Sequence, residues 1–84
     1  MKVKILGSNS LEIEFKDKRY LQSYKSIVAS FDRTNFTYTV YPMWDYSRTT
    51  AKHVSQWTGY SSKEIRRLIK DGVKFKYEDK EPEL

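Results

Sequence analysis

Residues 47–72 read SRTTAKHVSQWTGYSSKEIRRLIKDG, and this stretch predicts two helices that meet at Gly59. The second helix has a marked start, because Ser61 and Glu64 three residues later form the pattern of a capping box. It also has a marked end at Gly72, because glycine adopts the left-handed conformation that closes a helix at little steric cost. The two helices therefore form a compact unit around which the rest of the chain is arranged.

The second helix has two sides of opposite character. Apolar residues recur at helical spacing at Ile65, Leu68 and Ile69. Cations repeat the same spacing two positions away, which is about 200° of rotation at 3.6 residues per turn. One side is therefore expected to pack inward, and the other is expected to present four cations to solvent: Lys63, Arg66, Arg67 and Lys70.

Length and charge indicate one small basic domain. The 84 residues include no cysteine, and no apolar run is long enough to span a membrane. No signal peptide is recognisable at the start, so a cytoplasmic location is expected. The net charge is +5, and residues 78–84 contribute −3 with four acids and one base, so residues 1–77 carry +8. We expect residues 1–77 to form the domain and residues 78–84 to be a flexible acidic tail.

The start of the chain predicts a β-hairpin. Residues 2–6 and 11–15 alternate polar and apolar side chains on either side of a Gly-Ser-Asn-Ser turn. Lysines of the first strand are expected to pair with glutamates of the second. The apolar residues of both strands are expected to form its buried side: Val3, Ile5, Leu11, Ile13 and Phe15.

The middle of the chain continues this sheet. Residues 16–19 are predicted to be a charged connector, and residues 20–31 suit either a helix or a strand, with a strand over 23–31 favoured. Residues 36–41 predict a strand, and residues 73–77 predict a last strand after the helices. The predicted fold class is α+β, with an antiparallel sheet of four to five strands in the order β-β-β-β-α-α-β. A two-helix hairpin covers one face of that sheet.

The sequence gives little support for catalysis. His53 is the only histidine, and it has no cysteine or acid beside it in the sequence. Glu12 and Glu14 are better explained as partners of Lys2 and Lys4 than as a general acid and base. The three glycines are not clustered, so no phosphate-binding loop is expected. We therefore expect a protein that is not an enzyme and that uses no cofactor and no metal.

The two helices resemble a DNA-reading helix-turn-helix. The small residue, glycine and apolar anchors of such a motif fall at Ser55, Gly59, Tyr60, Ile65 and Leu68. The strand predicted after the second helix also resembles small excisionase-like winged domains. The residues that such a motif would present to the groove are Ser61, Ser62, Lys63, Arg66, Arg67 and Lys70. The alternative is a helical hairpin whose outer side is merely solvated by its cations.

A second resemblance covers more of the chain. Residues 44–53, with the pattern Trp-Asp-Tyr-Ser-x-Thr-Thr-x-Lys-His, and the stretches 1–4 and 23–29 resemble a family of short phage and prophage proteins of Gram-positive bacteria. That family has no assigned activity, so the resemblance transfers no functional residue. It implies a viral accessory protein that acts by binding, either to nucleic acid or to a host nucleic-acid machine.

Two functional hypotheses follow for this sequence. In the first, the protein binds nucleic acid, DNA more than RNA, through the second helix. In the second, it is an inhibitor of the anti-CRISPR type that binds a host nucleic-acid-binding protein. Trp44, Tyr46 and Arg48 are the candidate contacts for such a protein partner, since these residue types often anchor interfaces. The alternative reading of this segment is a structural corner at the start of the first helix. Neither hypothesis involves a membrane or a small-molecule substrate.

Overall fold

The computed structural model describes residues 1–84 as one six-stranded sheet with two helices, in the order β-β-β-β-β-α-α-β. The elements are β1 (Lys2–Gly7), β2 (Ser10–Phe15), β3 (Lys18–Ser23), β4 (Ser26–Asp32), β5 (Thr37–Val40), α1 (Arg48–Thr58), α2 (Ser62–Asp71) and β6 (Phe75–Tyr77). The strands lie side by side in chain order, and only β5 and β6 are parallel. The predicted α+β class is confirmed, but the sheet has one strand more than the four to five predicted. Neither helix is long and apolar enough to cross a membrane.

The extra strand comes from a turn that the sequence does not mark. Residues 16–19 are not a simple connector, because β3 already begins at Lys18, and the strand predicted over 23–31 is divided between β3 and β4. The turn between them contains Tyr24, whose φ of 57° lies in the left-handed region. Glycine or asparagine usually occupies such a position. The prediction was therefore wrong here because an aromatic residue occupies a turn position.

A β-bulge in β4 explains its long apolar run. Leu21 of β3 pairs with Ala29, but the next residue of β3 pairs with Ile27, so Val28 is an extra residue. Val28 and Ala29 both pack into the core beneath the helices, whereas Ile27 packs on the opposite face of the sheet. The strand is buried on both faces, and this removes the polar alternation that would have identified it.

The main core lies between one face of the sheet and the two helices. It is formed by Leu21, Val28, Ala29, Val40, Trp44, Val54, Ile65 and Phe75. α1 packs over β3 and β4, while α2 packs against α1 and β6 at the end of the sheet. A smaller cluster on the opposite face contains Tyr20, Ile27 and Tyr41, and Ser30 and Tyr41 share a hydrogen bond of 2.8 Å between their hydroxyls.

The β1–β2 hairpin has the predicted register but not the predicted burial. Lys2 lies opposite Glu14, and Lys4 lies opposite Glu12. The apolar side faces away from the helices, however, and Ile5 remains 79% exposed. Val3 and Phe15 are exposed as well, while Leu11 and Ile13 are half-buried. The expected burial was therefore wrong for Val3, Ile5 and Phe15, because no helix covers this face of the sheet. Ile13 is partly covered, since it packs against the small cluster on the same face.

Candidate nucleic-acid interface

α2 begins and ends as its sequence predicts. The Ser61 hydroxyl accepts a hydrogen bond from the Glu64 amide at 3.2 Å, and the Glu64 carboxylate accepts one from the Ser61 amide at 3.2 Å. Gly72 has a φ of 68°, and its amide donates to the Ile69 carbonyl. The capping box and the glycine stop are therefore confirmed. The Ser61 hydroxyl also lies 3.1 Å from the Glu64 carboxylate, so it is committed to the cap.

The two sides of α2 are oriented as expected. Ile65 is fully buried, and Leu68 and Ile69 are half-buried against the core. All four cations of the opposite side are exposed: Lys63, Arg66, Arg67 and Lys70. This placement gives the protein a cationic strip on an anchored helix.

Arg66 differs from the other three cations because it has partners within the protein. Its guanidinium lies 3.0 Å from the carboxylate of Asp45 and 5.2 Å from the centre of the Trp44 ring. The ion pair is substantially exposed, so its contribution to stability is small. Arg66 therefore links α2 to the segment before α1, and it is less available to an external ligand than sequence reasoning assumed.

The remaining three cations have no carboxylate partner. The ion pairs of the protein involve Arg19, Arg33 and Arg66 only. Lys63, Arg67 and Lys70, here called the cationic surface, fall within about 60° of one another around the helix axis at 3.6 residues per turn. Of the two acids of α2, Glu64 is occupied in the capping box and Asp71 lies at the end of the helix.

The connection between the helices is short and fixed by local hydrogen bonds. It consists of residues 59–61, and Gly59 has a φ of 82°. The Ser55 hydroxyl donates to the Tyr60 carbonyl at 2.7 Å, and the Tyr60 amide donates to the Thr58 hydroxyl at 3.2 Å. The small residue predicted at position 55 thus contacts the turn itself.

An aromatic cluster packs against this turn. The Tyr60 ring packs edge-on against Phe75, and Phe75 stacks on Tyr38 with a centroid distance of 4.8 Å. Burial raises the pKa of Tyr38, and the neighbouring Tyr60 phenol adds to this effect. Lys74 donates to the Tyr60 hydroxyl at 3.2 Å, which places a further cation beside the turn. The sequence did not identify Lys74 as a cation beside this turn, because its alternation with Phe75 indicated only a strand.

The candidate protein-partner residues lie in different environments. Trp44 is only 4% exposed and belongs to the main core, so it is not accessible to a partner. Tyr46 is 74% exposed, and Arg48 is exposed as well. Ser47 caps α1 by accepting from the Thr50 amide. Trp44 and Ser47 therefore act as the structural corner predicted for this segment, whereas Tyr46 does not pin the helix.

The other polar residues singled out from the sequence have structural partners. The glutamates of β2 form no ion pair with the lysines opposite them, contrary to expectation. Glu12 accepts a hydrogen bond from the Trp57 indole at 2.8 Å, and Glu14 accepts one from Arg33 at 3.2 Å. His53 Nδ1 lies 2.7 Å from the Ser23 hydroxyl. The fold brings no three histidine or acidic side chains together as a metal site would require.

Comparison with known proteins places the chain in a family. No curated protein and no solved structure matches it significantly. The family described as a family of unknown function (DUF8033) matches residues 1–72. These residues include β1–β5 and both helices, and they form most of the 84-residue chain. The protein therefore belongs to this family of unknown function, DUF8033.

Proposed function

We propose that this protein is a non-enzymatic accessory protein that binds nucleic acid, DNA in preference to RNA, through the cationic surface of α2. The observation that carries the proposal is the combination of three exposed, unpaired cations on one side of the helix with a fully buried Ile65 on the other. The resemblance of residues 44–53 to short phage proteins supports a role in the cytoplasm of an infected host cell.

The dimensions of α2 suit a DNA groove. Ten helical residues extend about 15 Å, and Lys63 and Lys70 are separated by about 10.5 Å along the axis at 1.5 Å per residue. The major groove of B-form DNA is wide enough to admit a helix, whereas that of A-form RNA is deep and narrow. Ser62, in the first turn of α2, adds a hydroxyl near Lys63, while Ser61 and Arg66 are engaged within the protein.

The charge distribution supports the same partner. Residues 1–77 carry +8, and long-range attraction of this kind accelerates and strengthens binding to a polyanion. Cations that already have acidic partners contribute less, because binding would have to break the existing pair. The unpaired state of the cationic surface is therefore the feature that favours α2 over the arginines of β3 and of the β4–β5 turn, which both contact Glu14.

A salt titration of DNA affinity tests this proposal. Lys63, Arg67 and Lys70 are replaced together by glutamine. The control replaces three other exposed lysines in the same way, namely Lys2 and Lys4 of β1 and Lys16 of the β2–β3 turn. Removal of one phosphate-binding cation should reduce the slope of log affinity against log salt by about one unit, so the slope of the α2 variant should fall by about three. The control should keep the wild-type slope. The melting temperatures of both variants should stay close to that of the wild type, because only exposed residues are changed.

Two outcomes would contradict the proposal. An equal loss of affinity in both variants would mean that only net charge matters, and absence of wild-type binding to duplex and single strands even at about 50 mM salt would exclude nucleic acid as the partner.

The second candidate function is inhibition of a host nucleic-acid machine, and the exposure of Tyr46 beside exposed Arg48 favours it. Tyrosine and arginine are common interface anchors. If the protein fails to bind nucleic acid, inhibition of DNA cleavage by a purified CRISPR effector is the assay to apply. Tyr46→Ala together with Arg48→Ala should then abolish inhibition, and the α2 variant should retain it.

A further inference from the structure

A cavity of about 630 Å³ lies away from α2, between the turns of the sheet and the start of α1. Its walls come from the β1–β2 turn, the β3–β4 turn, the segment after β5 and the first turn of α1. This volume lies within the range of sites that hold small organic ligands. Sequence reasoning gave no indication of it, because the four segments are far apart in the chain.

The floor of the cavity carries a hydrogen-bonded set of hydroxyls. Ser23 and Thr50 line it and are only 2% and 4% exposed. The Ser23 hydroxyl lies 2.7 Å from His53 Nδ1, and it lies 3.5 Å from the Thr50 hydroxyl. The Ser47 hydroxyl donates to Thr50 at 3.2 Å. Because the Thr50 hydroxyl acts as an acceptor in these contacts, its own hydrogen remains for donation to a ligand.

The rim of the cavity carries aromatic side chains. Tyr24 and Tyr46 both line it and are 50% and 74% exposed, while the half-buried Met43 supplies apolar surface. Tyr24 is held in its left-handed conformation, since its amide donates to the Asn9 carbonyl at 2.8 Å. Strained backbone of this kind persists where the surroundings fix it, and it is concentrated at ligand sites. The bond to Asn9 thus holds Tyr24 at the rim.

The electrostatics of the cavity favour an anion. Lys25 is the only charged side chain in its lining, and no carboxylate is present there. The first turn of α1, which contributes Thr50, also contains no acidic residue that would offset its positive end. A ligand suited to this cavity therefore combines a planar ring, hydrogen-bonding groups and a negative charge.

We propose that this cavity binds a nucleotide, with the base against the tyrosine rim, the hydroxyl floor contacting the base or sugar, and the phosphate near Lys25. Nucleotides combine these three properties, and base–aromatic stacking tolerates any base. The nucleotide is either free or the end of a single strand. The proposal does not rest on the cationic surface of α2, since none of its residues lines the cavity.

Binding of the four ribonucleoside monophosphates and of a short single-stranded oligonucleotide to the full chain tests the proposal by calorimetry. Tyr24→Gly removes the ring and relieves the positive φ, so it should fold normally and bind about tenfold or more weakly, as expected when one base stack is removed. Lys25→Gln should weaken binding and reduce its dependence on salt. The α2 triple variant is the matched control and should bind mononucleotides as the wild type does.

The results separate the two sources of ligand and the two proposals. Mononucleotide binding that depends on Tyr24 indicates a free nucleotide, and binding of the oligonucleotide alone with the same dependence indicates a strand end. If the α2 variant no longer binds duplex DNA but still binds mononucleotides, the result supports DNA binding by α2 and shows that the cavity is a separate site. Binding of every nucleotide and of the oligonucleotide weaker than about 1 mM would overturn the inference, as would binding that neither substitution changes.

Discussion

The two helices are attached to the sheet in different ways, and this difference indicates where a ligand can bind. α1 uses polar side chains that reach into the sheet, with Trp57 bonded to Glu12 and His53 bonded to Ser23. α2 is attached mainly through apolar residues, of which Ile65 alone is fully buried. The polar residues of α1 are thus partly used for structure, whereas those of α2 remain largely available. The exposed cations of α2 other than Arg66 therefore have no partner within the protein.

The largest effect is expected where α2 depends on one residue. Ile65→Ala removes the fully buried anchor and should lower the free energy of unfolding by about 2–5 kcal/mol, since it leaves a cavity in the main core. Ile5→Ala is the matched control, because Ile5 is 79% exposed and should change stability by less than about 0.5 kcal/mol. Urea denaturation measures both. Similar losses of stability at the two positions would show that α2 is not anchored as described.

A smaller effect is expected for the polar attachment of α1. Trp57→Phe removes the indole N–H that donates to the Glu12 carboxylate and should cost about 1.5–3 kcal/mol, the usual range for a hydrogen bond to a charged group. A double-mutant cycle with Glu12→Ala isolates this bond from the change in packing, because alanine leaves no acceptor for the indole N–H. A coupling energy near zero would mean that this bond does not help to hold α1, and the contrast between the helices would then rest on the His53–Ser23 contact alone.

The sequence predicted α2 well because its determinants are local. Ser61, Glu64 and Gly72 act within one turn of either helix end, and the sides of the helix follow from spacing alone. The register of the β1–β2 hairpin was predictable for the same reason, since a short turn fixes which residues face each other.

What could not be predicted depends on contacts between distant segments. The side of the hairpin that faces the helices is decided by where α1 docks, so the exposure of Val3 and Ile5 could not be derived from their alternation. The β3–β4 turn was missed because Tyr24 occupies a conformation that other residues normally supply.

The candidate sites were only partly predictable as well. Arg66 was expected to be free, but the fold brings it to Asp45, which lies 21 positions earlier in the chain. The periodicity of α2 gave no sign of that pair. The cavity could not be predicted from the sequence for a related reason, since Ser23, Tyr46 and Thr50 come together only when α1 packs against the end of β3.

DNA binding by α2 is tested most directly by an NMR titration of the full chain with a short DNA duplex, in which backbone amide shifts report the contact surface. The largest shifts should occur in residues 61–71 and saturate with DNA, while the exposed hairpin residues 2–7 should remain unchanged. Shifts concentrated on the hairpin, or spread evenly over all exposed lysines and arginines, would contradict the claim that the cationic surface of α2 binds DNA.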